Sequence, residues 1–130
     1  MMRLALILAM LAPPVLAQPV MSADEFDRYT QGKTLFYGFD GTAYGVERYM
    51  SGRRVIWSFL DGECKEGVWY EQAGQICFVY EDRFDPQCWV FRDTGRGLVA
   101  QFEGDPTQTE LYEAEEIGEE MLCYGPDVGV

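Results

Sequence analysis

The stretch GQICFVYEDRFDPQCWVF, residues 74–91, decides the fold. Two runs rich in aliphatic and aromatic residues, ICFVYE (76–81) and QCWVFR (87–92), flank a short acidic segment. Such residues suit a pleated, half-buried surface, so both runs read as strands of a hairpin. With Glu81–Phe84 as the turn, residues equidistant from it face one another, and Cys77 and Cys88 are equidistant. They read as a cross-strand disulfide. A redox pair or a zinc site would normally show close C-x-x-C spacing, which none of the four cysteines has.

The same register argument extends upstream. GVWYE (67–71) precedes a turn at Gln72–Gln75, which sets Tyr70 opposite Cys77 and carries Cys64 toward Arg83, away from any cysteine. Cys64 and Cys123 are then left to pair. Further strands are predicted at 33–39 and 42–49 around Asp40-Gly41, at 54–60 and at 97–103, with an eighth near 108–113. Turn signals recurring at this spacing imply an all-β, antiparallel up-and-down barrel or sandwich of seven or eight strands. Ahead of it, Ser22-Ala-Asp-Glu25 has the form of a capping box, Phe26 follows at helical spacing, and Gly32 suits a helix end. A single short helix over residues 22–31 follows.

The N-terminus has the pattern of a secretory leader. Arg3 precedes an apolar run from Leu4 to Ala12, Pro13 and Pro14 break any helix, and Val15-Leu16-Ala17 suits cleavage after Ala17. The expectation is a signal peptide over residues 1–17 and a single disulfide-stapled domain over 18–130. Export into a Gram-negative periplasm or the medium agrees with an even number of cysteines. Without a cysteine before Cys64, no lipid anchor is expected at the cleavage site.

The formal charge of −12 argues against nucleic acid as a partner. From Glu103 onward there are nine acidic residues and no Lys or Arg. The chain has no histidine, which removes Ser-His-Asp and Cys-His catalysis and the commonest metal ligand. No enzyme activity, cofactor or metal is expected. Asp61, Glu63 and Glu66 share one loop and are the only carboxylate set that suggests hydrolysis. Glu81-Asp82-Arg83-Phe84-Asp85 lacks the spacing and glycine of a calcium loop.

The aromatic residues, three Trp, eight Tyr and eight Phe, carry the functional expectation. In a barrel, alternate residues of each strand face the interior, which can be filled by side chains or leave a pocket. The candidate ligand-binding residues are Trp57, Trp69, Tyr70 and Trp89, with Glu47 and Arg48. The last two are adjacent in one strand, so one of them points inward unless that strand is solvated on both faces. A charge there would mark a polar site. The expected partner is a small apolar or aromatic ligand. The alternative is a basic protein engaged by the acidic surface.

Three stretches, GFDGTAYGVERY, RRVIWSFLDGECKEGVWYE and QICFVYED followed by CWVF, resemble a group of small exported alphaproteobacterial proteins of unknown function. The likeness covers Gly32 to Phe91. Its marks are Gly67-Val68-Trp69 after the first cysteine and the C-F-x-Y and C-W pairs. It implies export and disulfides, without a specific activity. The architecture is also similar to that of small barrels used by secreted ligand carriers and by periplasmic lysozyme inhibitors, a likeness of fold alone.

Overall fold

In a computed structural model, described here for residues 9–12, 18–115, 121 and 123, the chain forms a closed eight-stranded antiparallel barrel. The predicted leader, residues 1–17, lies outside the described residues except for 9–12. A short helix, α1 (Ala23–Thr30), precedes strands β1 (Thr34–Phe39), β2 (Thr42–Tyr49), β3 (Arg54–Ser58) and β4 (Lys65–Gln72). Then follow β5 (Gln75–Tyr80), β6 (Arg83–Asp93), β7 (Leu98–Phe102) and β8 (Glu110–Ala114). Each strand pairs with the next, and β8 returns to β1 through Phe36–Ala114, Tyr37–Glu113 and Gly38–Tyr112. Closure leaves no exposed sheet edge and excludes the sandwich alternative.

Local sequence explains the tight turns. Phe39–Thr42 and Gln72–Gln75 each enclose two residues at positive φ, Asp40-Gly41 and Ala73-Gly74. That conformation matches the right-handed twist of a hairpin. The β5–β6 hairpin differs from the predicted turn. Tyr80 pairs with Arg83, so the connection is Glu81-Asp82 and not Glu81–Phe84. A bulge between Phe78 and Tyr80 then absorbs extra residues of β6, and the pairing beyond it sets Cys77 opposite Cys88. Pro86 falls in this irregular stretch, where its missing N–H disturbs the ladder least.

Both disulfides join the expected partners, Cys77 with Cys88 and Cys64 with Cys123. Two such bonds fit a chain that folds outside the reducing cytoplasm. The Cys77–Cys88 bond closes a loop of 11 residues, and such a closure is worth about 3 kcal/mol. Changing both cysteines to serine is expected to lower the unfolding free energy by that amount, and with it the urea midpoint, with the far-ultraviolet spectrum unchanged at low denaturant. An unchanged midpoint would mean the hairpin register alone supplies the constraint.

The helix closes one end of the barrel. Ser22 Oγ accepts from Glu25 N at 3.2 Å and the Glu25 carboxylate reaches back, completing the capping box. Backbone bonds fix the helix on both sides: Met21 N donates to Phe91 O at 2.8 Å, and Gly32 N to Tyr49 O at 2.9 Å. Phe26 projects into the barrel end with no exposed surface. Its ring lies 4.5 Å from Phe91, 5.1 Å from Trp69 and 5.6 Å from Tyr49. The opposite end is bounded by the Asp40-Gly41 turn, the loop before Lys65, the Glu81-Asp82 turn and the loop before Glu110. It carries no such plug among the described residues.

Candidate ligand site in the barrel interior

Strand alternation sorts the interior. Tyr37 on β1 pairs with Gly45 on β2, Glu47 with Trp57 on β3, and Trp57 with Lys65 on β4. Following the register round, Phe78 and Tyr80 on β5 and Gln87, Trp89 and Phe91 on β6 lie on the same face. That face is the inside. Between Phe26 at the closed end and the opposite mouth, these residues leave a cavity of about 110 Å³. An apolar cavity of about 150 Å³ can hold a benzene ring, so this one suits a small molecule or head group.

Two glycines make room for the walls. A Cβ on Gly45 would collide with the Trp57 indole, and one on Gly67 would lie 2.7 Å from the Tyr80 ring. Both glycines face inward, and each allows a large ring to lie flat against the neighbouring strand. The β2–β3 wall is then a cluster of Tyr44, Trp57 and Phe59 with centroids 5.2–5.8 Å apart. On the β5 wall, the Phe78 and Tyr80 rings stack at 6.3 Å.

Glu47 is the polar centre. Its residue is 2% exposed, and Tyr80 Oη donates to its carboxyl oxygens at 2.9 and 3.1 Å. β2 and β5 are not neighbours in the sheet, so this hydrogen bond crosses the lumen. Among the described residues no Lys or Arg nitrogen lies within 4.0 Å of the carboxyl group. Burial raises its pKa from 4.5 to about 8, partly offset by the Tyr80 hydrogen bond, which favours the ionised form. Tyr37 and Tyr49 share a buried hydroxyl–hydroxyl hydrogen bond of 2.7 Å further toward the closed end. Burial also raises the pKa of Tyr37, Tyr49 and Tyr80, so these hydroxyls keep their protons.

The rim is charged and self-paired. Lys65 lies 2.5 Å from Asp82, and Arg83 lies 3.2 Å from Asp85. The Lys65 hydrogen bond lowers the pKa of Asp82. The acidic hairpin that invited a calcium reading therefore has its aspartates in ion pairs. Asp61, Glu63 and Glu66 are all exposed and form no desolvated acid–base pair.

Of the six candidate residues, the structure brings Glu47, Trp57 and Trp89 together around the cavity. Trp69 also faces inward, but it lies beyond the cavity, packed against Phe26 and beneath the Arg53 guanidinium at 4.5 Å. Arg48 and Tyr70 belong to the outer face: Arg48 is exposed, and Tyr70 lies opposite Cys77 on the outside of the barrel. Period-two alternation is the reason in both cases. Sequence reasoning did not select Tyr37, Tyr44, Tyr49, Phe59, Phe78 or Tyr80, all of which line the cavity. The signal available was parity: Glu47 inside puts Gly45 and Tyr49 inside as well, whereas Tyr44, of the other parity, sits where the register shifts. Compared with known proteins, the chain matches no family model, no curated protein and no solved structure.

Proposed function

We propose that this protein is a non-enzymatic, exported binding barrel that takes a small ligand into its aromatic interior through the end opposite α1, in the periplasm or outside the cell. The observation that carries the reading is the shape of the interior. A small barrel usually fills itself, yet here a cavity of about 110 Å³ remains behind a mouth, walled by Tyr and Trp around one buried carboxyl. Apolar walls with a few convergent polar groups are the usual composition of a small-molecule site.

The test is native mass spectrometry of the chain isolated from its producing cells, beside an Ala100→Phe variant. Ala100 is buried, faces inward from β7 and lines the cavity, so the larger ring occupies the space a ligand needs. The expected result is one low-mass compound retained per wild-type chain and lost from the variant. No retained compound, together with no change of tryptophan emission on adding phenol, would contradict the reading.

A second reading, docking on a basic protein, has one observation in its favour. Phe84 is 89% exposed on the acidic hairpin at the mouth, next to Asp85. Retention on immobilised lysozyme at low salt, reduced by Phe84→Ala, would support it. Absence of retention at low salt would remove it.

A further inference from the structure

From the buried carboxyl and the rings around it we infer that the ligand is a small organic cation, an ammonium or quaternary ammonium head group. The inference rests on the binding-barrel reading and names the class of ligand. Three features carry it. Glu47 is the acidic group inside the cavity, and no cationic side chain among the described residues neutralises it. A buried carboxylate without a counter-ion is costly, and a bound cation supplies the missing charge. The walls beside it are aromatic faces, and a desolvated cation over such a face is attracted by the ring's negative π face. Trp57, the ring directly paired with Glu47 across β2 and β3, is the best placed of them.

The groups that face Glu47 leave this role open. β1 presents Tyr37, and β2 presents Tyr44 and Tyr49, all hydroxyls. Lys65 of β4 is engaged by Asp82, and Tyr80 of β5 donates to Glu47 itself. β6 presents Gln87, with Arg83 at the rim held by Asp85. β7 and β8 add Ala100 and Leu111, which carry no charge. Glu113 of β8 is occupied elsewhere, accepting from Tyr29 Oη at 2.6 Å and Leu98 N at 2.8 Å. The chain's charge of −12 also raises the local concentration of cations.

The experiment is a tryptophan fluorescence titration with choline and with its uncharged carbon analogue, in which a tert-butyl group replaces the trimethylammonium group, between pH 6 and pH 9. Because a cation needs Glu47 ionised, choline affinity is expected to rise by up to about 100-fold across this range, while the carbon analogue binds independently of pH. At pH 9 choline is expected to bind about tenfold or more tighter than the analogue. Glu47→Gln, close in shape to the protonated acid, should abolish both the preference and the pH dependence. Tyr80→Phe removes only the donor that favours the ionised form. It should keep the preference and move the pH midpoint upward. Equal, pH-independent binding of both probes would overturn the cation inference while supporting a ligand-taking barrel. Binding of neither probe would overturn the inference, and the absence of any co-purified compound would then contradict the barrel reading as well.

Discussion

Replacing Glu47 by glutamine is expected to stabilise the unliganded protein at alkaline pH by about 5 kcal/mol. The carboxyl is buried, and its pKa rises from 4.5 to about 8 on folding. The folded chain therefore holds a proton that the unfolded chain gives up over this interval. The stability associated with that proton is complete below about pH 4.5 and is lost as the pH rises through 8. Above that, the folded protein carries a buried carboxylate with one hydrogen-bond donor, Tyr80, and no counter-ion among the described residues. Glutamine cannot ionise and avoids that cost. Urea unfolding of both proteins at pH 5 and pH 9 separates the contribution from those of the exposed acids, which the two proteins share. The two should differ little at pH 5 and widely at pH 9. An equal difference at both pH values would show that Glu47 is charged in the folded state throughout, and hence solvated.

Phe26→Ala is expected to cost about 4 kcal/mol, within the range for removing a buried aromatic ring from a core. The ring is fully buried and meets Phe91, Trp69, Tyr49 and Phe78. Nothing else in the helix can fill its place. Ala23 and Tyr29 only flank the core, and Thr30 is tied to the Phe26 carbonyl at 2.8 Å. A loss this large is a substantial share of the stability of an ordinary small domain. The two disulfides limit the unfolded chain and should keep the variant foldable. The variant should also show a red-shifted Trp69 emission, because Phe26 covers that indole, with Trp57 less affected. A loss below about 1 kcal/mol would mean that α1 rests on the barrel without closing it. The cavity would then be open at the α1 end.

Much of this architecture was legible in the sequence, because short-range chemistry determines it. Asp40-Gly41 marks a two-residue hairpin, Ser22 and Glu25 mark a helix start, and turn signals mark the strand spacing. The cysteine pairing followed from register even though the turn was misplaced. The bulge at Phe78 compensates for the tighter Glu81-Asp82 connection, so the assumed and actual registers agree at Cys77 and Cys88. Local pattern could not show which parity faces inward in β2, since Gly45, Val46 and Glu47 are all buried. It therefore left Glu47 and Arg48 undecided. Trp69 looked equivalent to Trp57 and Trp89 because its separation from the cavity depends on where Phe26 docks. Tyr80 carries no local signature of its role, because its bond to Glu47 exists only once the sheet has closed. The cavity itself depends on Gly45 and Gly67, whose missing side chains leave no periodic mark.

Ligand is expected to enter the space between Trp57 and Trp89 and to stop short of Trp69. The most direct measurement is an NMR titration that follows the three indole N–H resonances, with choline and its uncharged carbon analogue as probes. The predicted result is saturable shifts of the Trp57 and Trp89 signals at one probe per chain, with the Trp69 signal stationary behind Phe26. Shifts at none of the three, or equal shifts at all three, would contradict it.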